Sequence, residues 1–257
     1  MPLELISKSS SVRKFRHPVL FIHGAGMTAG CWKLFQDHFS EAGCDTHALS
    51  LRGHGSSDAD GTVLLRGCSD YLNDVRSAVE QVGEPVVIVA HSWGGYLVQR
   101  YLEIYHDCPA AVLMASAPPA SSGPSYWSMF KKFPWLVIVA HLTLRPHHVY
   151  STSESMRELL FRQDTSESEI EEHKRALEKI SPLLYFQTML RAPRADAVTT
   201  KMLVLGADAD RIYTTDMVES TAAAYGTEAQ IIPEMCHMMM IDPDWRLAAD
   251  AILDWLD

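Results

Sequence analysis

Short, fully apolar runs alternate along this chain with stretches that repeat an apolar residue every three or four positions. PVLFIHG (18–24) is a β-rich run that ends in glycine. CDTHALSLRGHG (44–55) reads as a second strand entering a glycine-rich turn. In YLNDVRSAVEQVG (71–83), Leu72, Val75, Val79 and Val82 share one helical face and Gly83 is a stop signal. PVVIVAHS (85–92) is a strongly apolar strand, GGYLVQRYLEIY (94–105) a helix and AAVLMAS (110–116) another strand. KMLVLGAD (201–208) is a strand followed by a helix around 215–225, and AQIIPE (229–234) is the last strand. DPDWRLAADAILDWLD (242–257) closes the chain as a helix, with Asp242 suited to the N-cap and Pro243 to the first helical position.

Strands that alternate with helices predict an α/β fold with a mostly parallel sheet buried on both faces. The stretch 118–195 breaks that rhythm. It has helical patterns near 153–162 and 166–180 and no obvious buried strand. It reads as a helical insertion, so the expected organisation is core (1–117), inserted cap (118–195) and core again (196–257). No internal repeat or low-complexity tract interrupts it.

Composition narrows the partners. The 257 residues are 47% apolar and 21% charged, as in an ordinary globular protein. A formal net charge of −10 repels phosphate backbones, so nucleic acid is an unsuited partner. Five scattered cysteines without a CxxC pair suggest a reduced compartment rather than a disulfide or zinc framework. The first residues lack the pattern of a signal peptide, and the longest apolar run, PWLVIVAHL (134–142), is too short for stable membrane insertion. The chain thus reads as cytoplasmic, and a homodimer is left open.

The candidate chemistry starts at AHSWGG (90–95). Ser92 lies where an apolar strand stops and a helix begins. Such a reversal strains the middle residue and requires small neighbours two positions away, here Ala90 and Gly94. The alternative reading is a serine N-cap. A serine hydroxyl needs a base, and the base needs an orienting acid. ADADRIY follows one downstream strand and MCHMMMIDP the next, which gives the chain order Ser, Asp, His. His237 is the base by its position in the last strand-to-helix loop. Asp208 and Asp210 both qualify as acid. Asp210 is favoured by its place before RIY, and Asp208 is the alternative, suited to shaping the turn. The oxyanion donors expected are the N–H of Trp93 and that of Ala25, in the loop HGAGMTAGCW (23–32).

HGAG, LRGHGSSD, AHSWGG, GADADRI and CHMMMIDPDW, in this order, resemble the α/β-hydrolase family in its esterase and lipase branch with a helical cap. The resemblance runs from about residue 18 to the C-terminus, apart from the cap. It departs from the family at Ala90, where the nucleophile motif usually has glycine, and at Ser50, where the LRGHGSS turn often has aspartate. It implies Ser92 as nucleophile, His237 as base, Asp210 as acid, and Ala25 with Trp93 as oxyanion hole. His54 is read as structural. The inserted segment is rich in large apolar side chains, which implies a hydrophobic ester substrate. Trp127, Phe130, Trp135 and Phe161 are the expected substrate contacts. Met238, Met239 and Met240 read chiefly as core filler, with Met238 retained as a contact. RPHH (145–148) lacks a third ligand, so no metal site is assigned, and no cofactor is expected.

The expected activity is therefore hydrolysis of a carboxylic ester with a hydrophobic acyl or alcohol group through an acyl-enzyme. Lactone, thioester or carbon–carbon bond hydrolysis and perhydrolysis remain open on the same triad. So does a ligand receptor with little turnover. Dehalogenases and epoxide hydrolases of this family use an aspartate nucleophile, and Ser92 argues against them.

Overall fold

A computed structural model of the chain describes residues 2–58, 63–120 and 122–257. The first half contains β1 (Glu4–Lys8), β2 (Val19–Ile22), α1 (Lys33–Ala42), β3 (Thr46–Ser50), α2 (Cys68–Val82), β4 (Val87–His91), α3 (Trp93–Leu102) and β5 (Ala110–Met114). Helices α4 (Gly123–Lys132), α5 (Pro134–Leu142), α6 (Ser153–Leu160), α7 (Glu167–Ala176) and α8 (Pro182–Leu190) follow. The chain ends with β6 (Lys201–Ala207), α9 (Thr215–Ala224), β7 (Ala229–Ile232) and α10 (Trp245–Leu256).

Among the described residues the strands form one sheet of order β1-β3-β2-β4-β5-β6-β7. Every pairing is parallel except β1 with β3. Parallel strands covered by helices on both faces bury every position, which explains the unbroken apolar runs in β2, β4 and β5. Phe21 of β2 stacks on Trp32 at 4.8 Å and meets Phe35 and Phe39 of α1 edge-on. Each such fully buried ring contributes about 1.5–3 kcal/mol by leaving water. Gly43 and Gly83 end α1 and α2 in the left-handed conformation, as the Gly83 stop signal predicts.

The structure adds elements that the pattern does not reveal. β1 is an edge strand with largely exposed side chains, so it carries no apolar alternation. α1, α4, α5 and α8 are also absent from the expectation. α10 starts at Trp245, and Asp242 is not its N-cap. The Asp242 side chain is instead sealed inside the protein and ion-paired with Arg162. All five helices α4–α8 lie between β5 and β6, which are neighbours in the sheet, with Leu113 opposite Val204. Among the described residues no helix is long and apolar enough to cross a membrane.

Candidate active site

Ser92 stands between the end of β4 and the start of α3, at φ 53° and ψ −117°. A non-glycine residue there holds on the order of 1–3 kcal/mol of backbone strain, tolerated only where the surroundings fix it. Here they do. The Ser92 N–H donates to the Met114 carbonyl at 3.0 Å, and the Ser92 carbonyl accepts from Ala117 at 3.2 Å. α3 presses onto the strand ends so closely that only glycine fits at positions 94 and 95 of its first turn. A Cβ on Gly94 would lie 2.5 Å from the His23 carbonyl oxygen, and one on Gly95 2.1 Å from Ser116 Oγ.

His237, in the loop after β7, places Nε2 3.0 Å from Ser92 Oγ. Its Nδ1 lies 2.8 Å from Asp210 Oδ2. Asp210 follows β6, and its other oxygen, Oδ1, accepts the backbone N–H groups of Ile212 at 2.7 Å and Tyr213 at 3.0 Å. All three side chains are buried. Asp208 does not reach His237. Its Oδ1 accepts the Glu234 N–H at 2.6 Å and ties two loops together.

His91 supports His237 from below. Its Nε2–H donates to the His237 carbonyl at 2.9 Å, and the two rings lie 4.8 Å apart. Burial, with His237 adding to it, holds the His91 pKa well below its ordinary value, so the ring is neutral. His54 is buried beside His23, with ring centres 5.1 Å apart, and does not touch Ser92, Asp210 or His237.

Two cavities meet at Ser92. The larger has about 670 Å³ of space, counting solvent at its open side, and is bordered by Ala25, Trp93, Met129, Ile180, Ile212 and four tyrosines, Tyr126, Tyr150, Tyr185 and Tyr213. The smaller has about 340 Å³ on the same measure and is bordered by Met27, Leu160, Leu177, His237 and Met238. Ala25, Ser92 and Tyr150 border both. The N–H groups of Ala25 and Trp93 donate to no described residue, so both are available at this junction.

The expected substrate contacts fare differently. Met238 borders the smaller cavity. Trp127, Phe130, Trp135 and Phe161 border neither. Trp135 is 70% exposed, and Trp127 is 54% exposed and stacked on Phe130. Phe161 is buried against His173. Short helices have two faces, and an apolar composition does not say which one turns inward. The tyrosines are the residues that sequence reading misses. Tyr213 carried a usable signal, because it lies three residues beyond Asp210 in the same turn.

A family model described as the alpha/beta hydrolase family matches residues 19–249. The chain is 26% identical over 150 residues to Epoxide hydrolase 1 of Caenorhabditis elegans, covering 56% of this chain and 37% of that protein. It is 32% identical over 121 residues to Norfluorocurarine synthase 1 of Strychnos nux-vomica, covering 46% of this chain and 45% of that one. The chain thus spans less than half the length of either relative. Among solved structures, the Paleococcus ferrophilus monoacylglycerol lipase matches with a TM-score of 0.72 at 21% identity, covering 100% of this chain and 98% of that one. At that identity the likeness is one of fold.

Proposed function

Given that the chain belongs to the alpha/beta hydrolase family, we propose that it is a serine hydrolase cleaving carboxylic esters through an acyl-enzyme. The observation that carries this reading is the continuous line from Ser92 Oγ to His237 Nε2 at 3.0 Å and from His237 Nδ1 to Asp210 Oδ2 at 2.8 Å. With its Nδ1 proton directed at Asp210, His237 presents a lone pair to the Ser92 hydroxyl. Ser92 Oγ attacks the ester carbonyl as His237 takes the hydroxyl proton. Charge on the carbonyl oxygen is received by the N–H groups of Ala25 and Trp93. The carbon–alkoxide bond breaks, and His237 returns the proton to the departing oxygen. A water then attacks the acyl-enzyme, giving its proton to His237 and releasing the acid and Ser92. Asp210, held by two backbone N–H groups, fixes the ring tautomer.

The epoxide hydrolase relative does not redirect this reading. The residue at the strand-to-helix turn is a serine, whose hydroxyl suits acyl transfer. The five cysteines, all free, fit a reducing, cytoplasmic location.

Ethyl and p-nitrophenyl esters from acetate to palmitate test the reading, with Ser92→Ala and Asp210→Asn alongside. The wild type is expected to turn over at least part of the panel. Ser92→Ala is expected to lose about 10⁴-fold or more in kcat, and Asp210→Asn about 10⁴-fold. Wild-type rates no higher than those of Ser92→Ala on every member would overturn ester hydrolysis.

A further inference from the structure

The two cavities at Ser92 differ in chemistry as well as in size. In the mechanism above, the departing alkoxide must receive its proton from His237 Nε2. His237 borders the smaller cavity and not the larger. The alcohol therefore lies in the smaller cavity, among Met27, Leu160, Leu177 and Met238, and the acyl group in the larger, with Tyr150 at the boundary of the two.

Polar groups in the larger cavity divide into satisfied and unsatisfied ones. Ser125 donates to Met217 Sδ at 3.3 Å, and Thr188 donates to the Tyr185 carbonyl at 2.7 Å. His141 Nδ1–H donates to the Val137 carbonyl at 2.7 Å, so its Nε2 accepts the Tyr126 hydroxyl at 3.3 Å. The hydroxyls of Tyr150, Tyr185 and Tyr213 make no hydrogen bond with any described residue. Tyr213 packs against His237, with ring centres 5.7 Å apart, at the reacting end of the cavity. The Tyr150 and Tyr185 phenols are thus left over in the rest of a largely apolar cavity. A saturated acyl chain placed there would exclude water and strand both donors, which a site avoids only if its ligand supplies acceptors.

We propose that the substrate's acyl group carries a hydrogen-bond-accepting oxygen beyond the reacting carbonyl, received by Tyr150 and Tyr185, and that its alcohol is compact and apolar. This rests on the ester-hydrolase reading for which end of the ester lies where. Burial pushes the Tyr150 phenol up to about 12 and raises that of Tyr185 above its usual value, so both remain donors at neutral pH.

The test compares ethyl octanoate with ethyl 4-, 5- and 7-oxo-octanoate, in which one methylene becomes a carbonyl insulated from the reacting centre. At least one oxo-ester is expected to exceed octanoate in kcat/KM by roughly 3- to 10-fold in the wild type. That ratio is expected to fall towards one in Tyr150→Phe and Tyr185→Phe, with folding checked by Tm. Calorimetric Kd values for the same esters on Ser92→Ala read the cavity without the chemistry, and should show the same order. Equal kcat/KM for all four esters, with turnover intact, overturns the proposal and leaves ester hydrolysis standing. The same holds if an oxygen placed in the alcohol gives the larger gain. If the wild type hydrolyses none while Ser92→Ala still binds the oxo-ester more tightly, the oxygen-accepting cavity stands and ester hydrolysis falls.

Discussion

Of the side chains around Ser92, the buried histidines set the protein's response to acid. His23 is sealed in the core, its Nδ1–H donating to the Gly24 carbonyl at 2.7 Å and its Nε2 accepting the Leu51 N–H at 3.0 Å. Both nitrogens are used by the neutral ring, and burial, aided by His54, holds its pKa down to about 3. His91 and His54 are also held low, chiefly by burial. In the unfolded chain these rings titrate near their ordinary value of 6.5. Below that pH the unfolded state takes up protons that the folded state refuses, so stability falls as pH drops from 6.5 towards 3. Above 6.5 these groups leave stability unchanged. Each contributes a slope approaching ~1.4 kcal/mol per pH unit inside that window. Calorimetric Tm values between pH 8 and 4.5 should be level above 7 and decline steadily below 6.5. A Tm that holds level down to pH 5 would contradict the neutral, buried histidines.

Arg162 helps to fasten the helices between β5 and β6 to the His237 loop, where the Met238 N–H also donates to the Leu160 carbonyl at 3.2 Å. Arg162, just past α6, donates to both oxygens of Asp242 and to Asp244, at 2.5–2.9 Å. Asp242 also accepts the Cys236 N–H at 3.0 Å, one residue before His237. Arg162→Met leaves a buried carboxylate without its cation, at a cost of about 3–5 kcal/mol. For a chain of this size that lowers Tm by roughly 5–15 °C. Adding Asp242→Asn should cost less than the sum of the two single changes, and strict additivity would show that the pair is not coupled. This pair also marks where sequence reading stops. Asp242-Pro243 looks like a helix cap because capping is a local signal, whereas its partner lies 80 residues upstream. Ser92, Asp210 and His237 were legible for the converse reason, since each follows a recognisable apolar strand. β1 was not, because a half-exposed edge strand has no apolar face to betray it. The tyrosines of the larger cavity were not, because in an apolar run a phenol reads as packing until its neighbours are known.

Taken whole, the molecule buries most of its large apolar side chains and shows several on its inserted helices. Trp135 is 70% exposed, Leu142 79% and Leu190 81%. Side chains that remain in water contribute little to folding. Trp135→Ser combined with Leu142→Ser is expected to change the free energy of unfolding by less than about 1 kcal/mol, read by urea titration. A larger loss would mean that these residues are covered in solution. The excursion that carries them leaves the sheet at β5 and returns at β6, its immediate parallel neighbour. Exit and re-entry therefore lie side by side, and the chain between them can lengthen, shorten or be exchanged without disturbing a single strand pairing. Ser92, Asp210 and His237 all lie outside that stretch, whereas Tyr126, Tyr150 and Tyr185 lie within it. Inheritance can thus graft a new cavity wall onto an unchanged Ser92, Asp210 and His237 by splicing at two adjacent points.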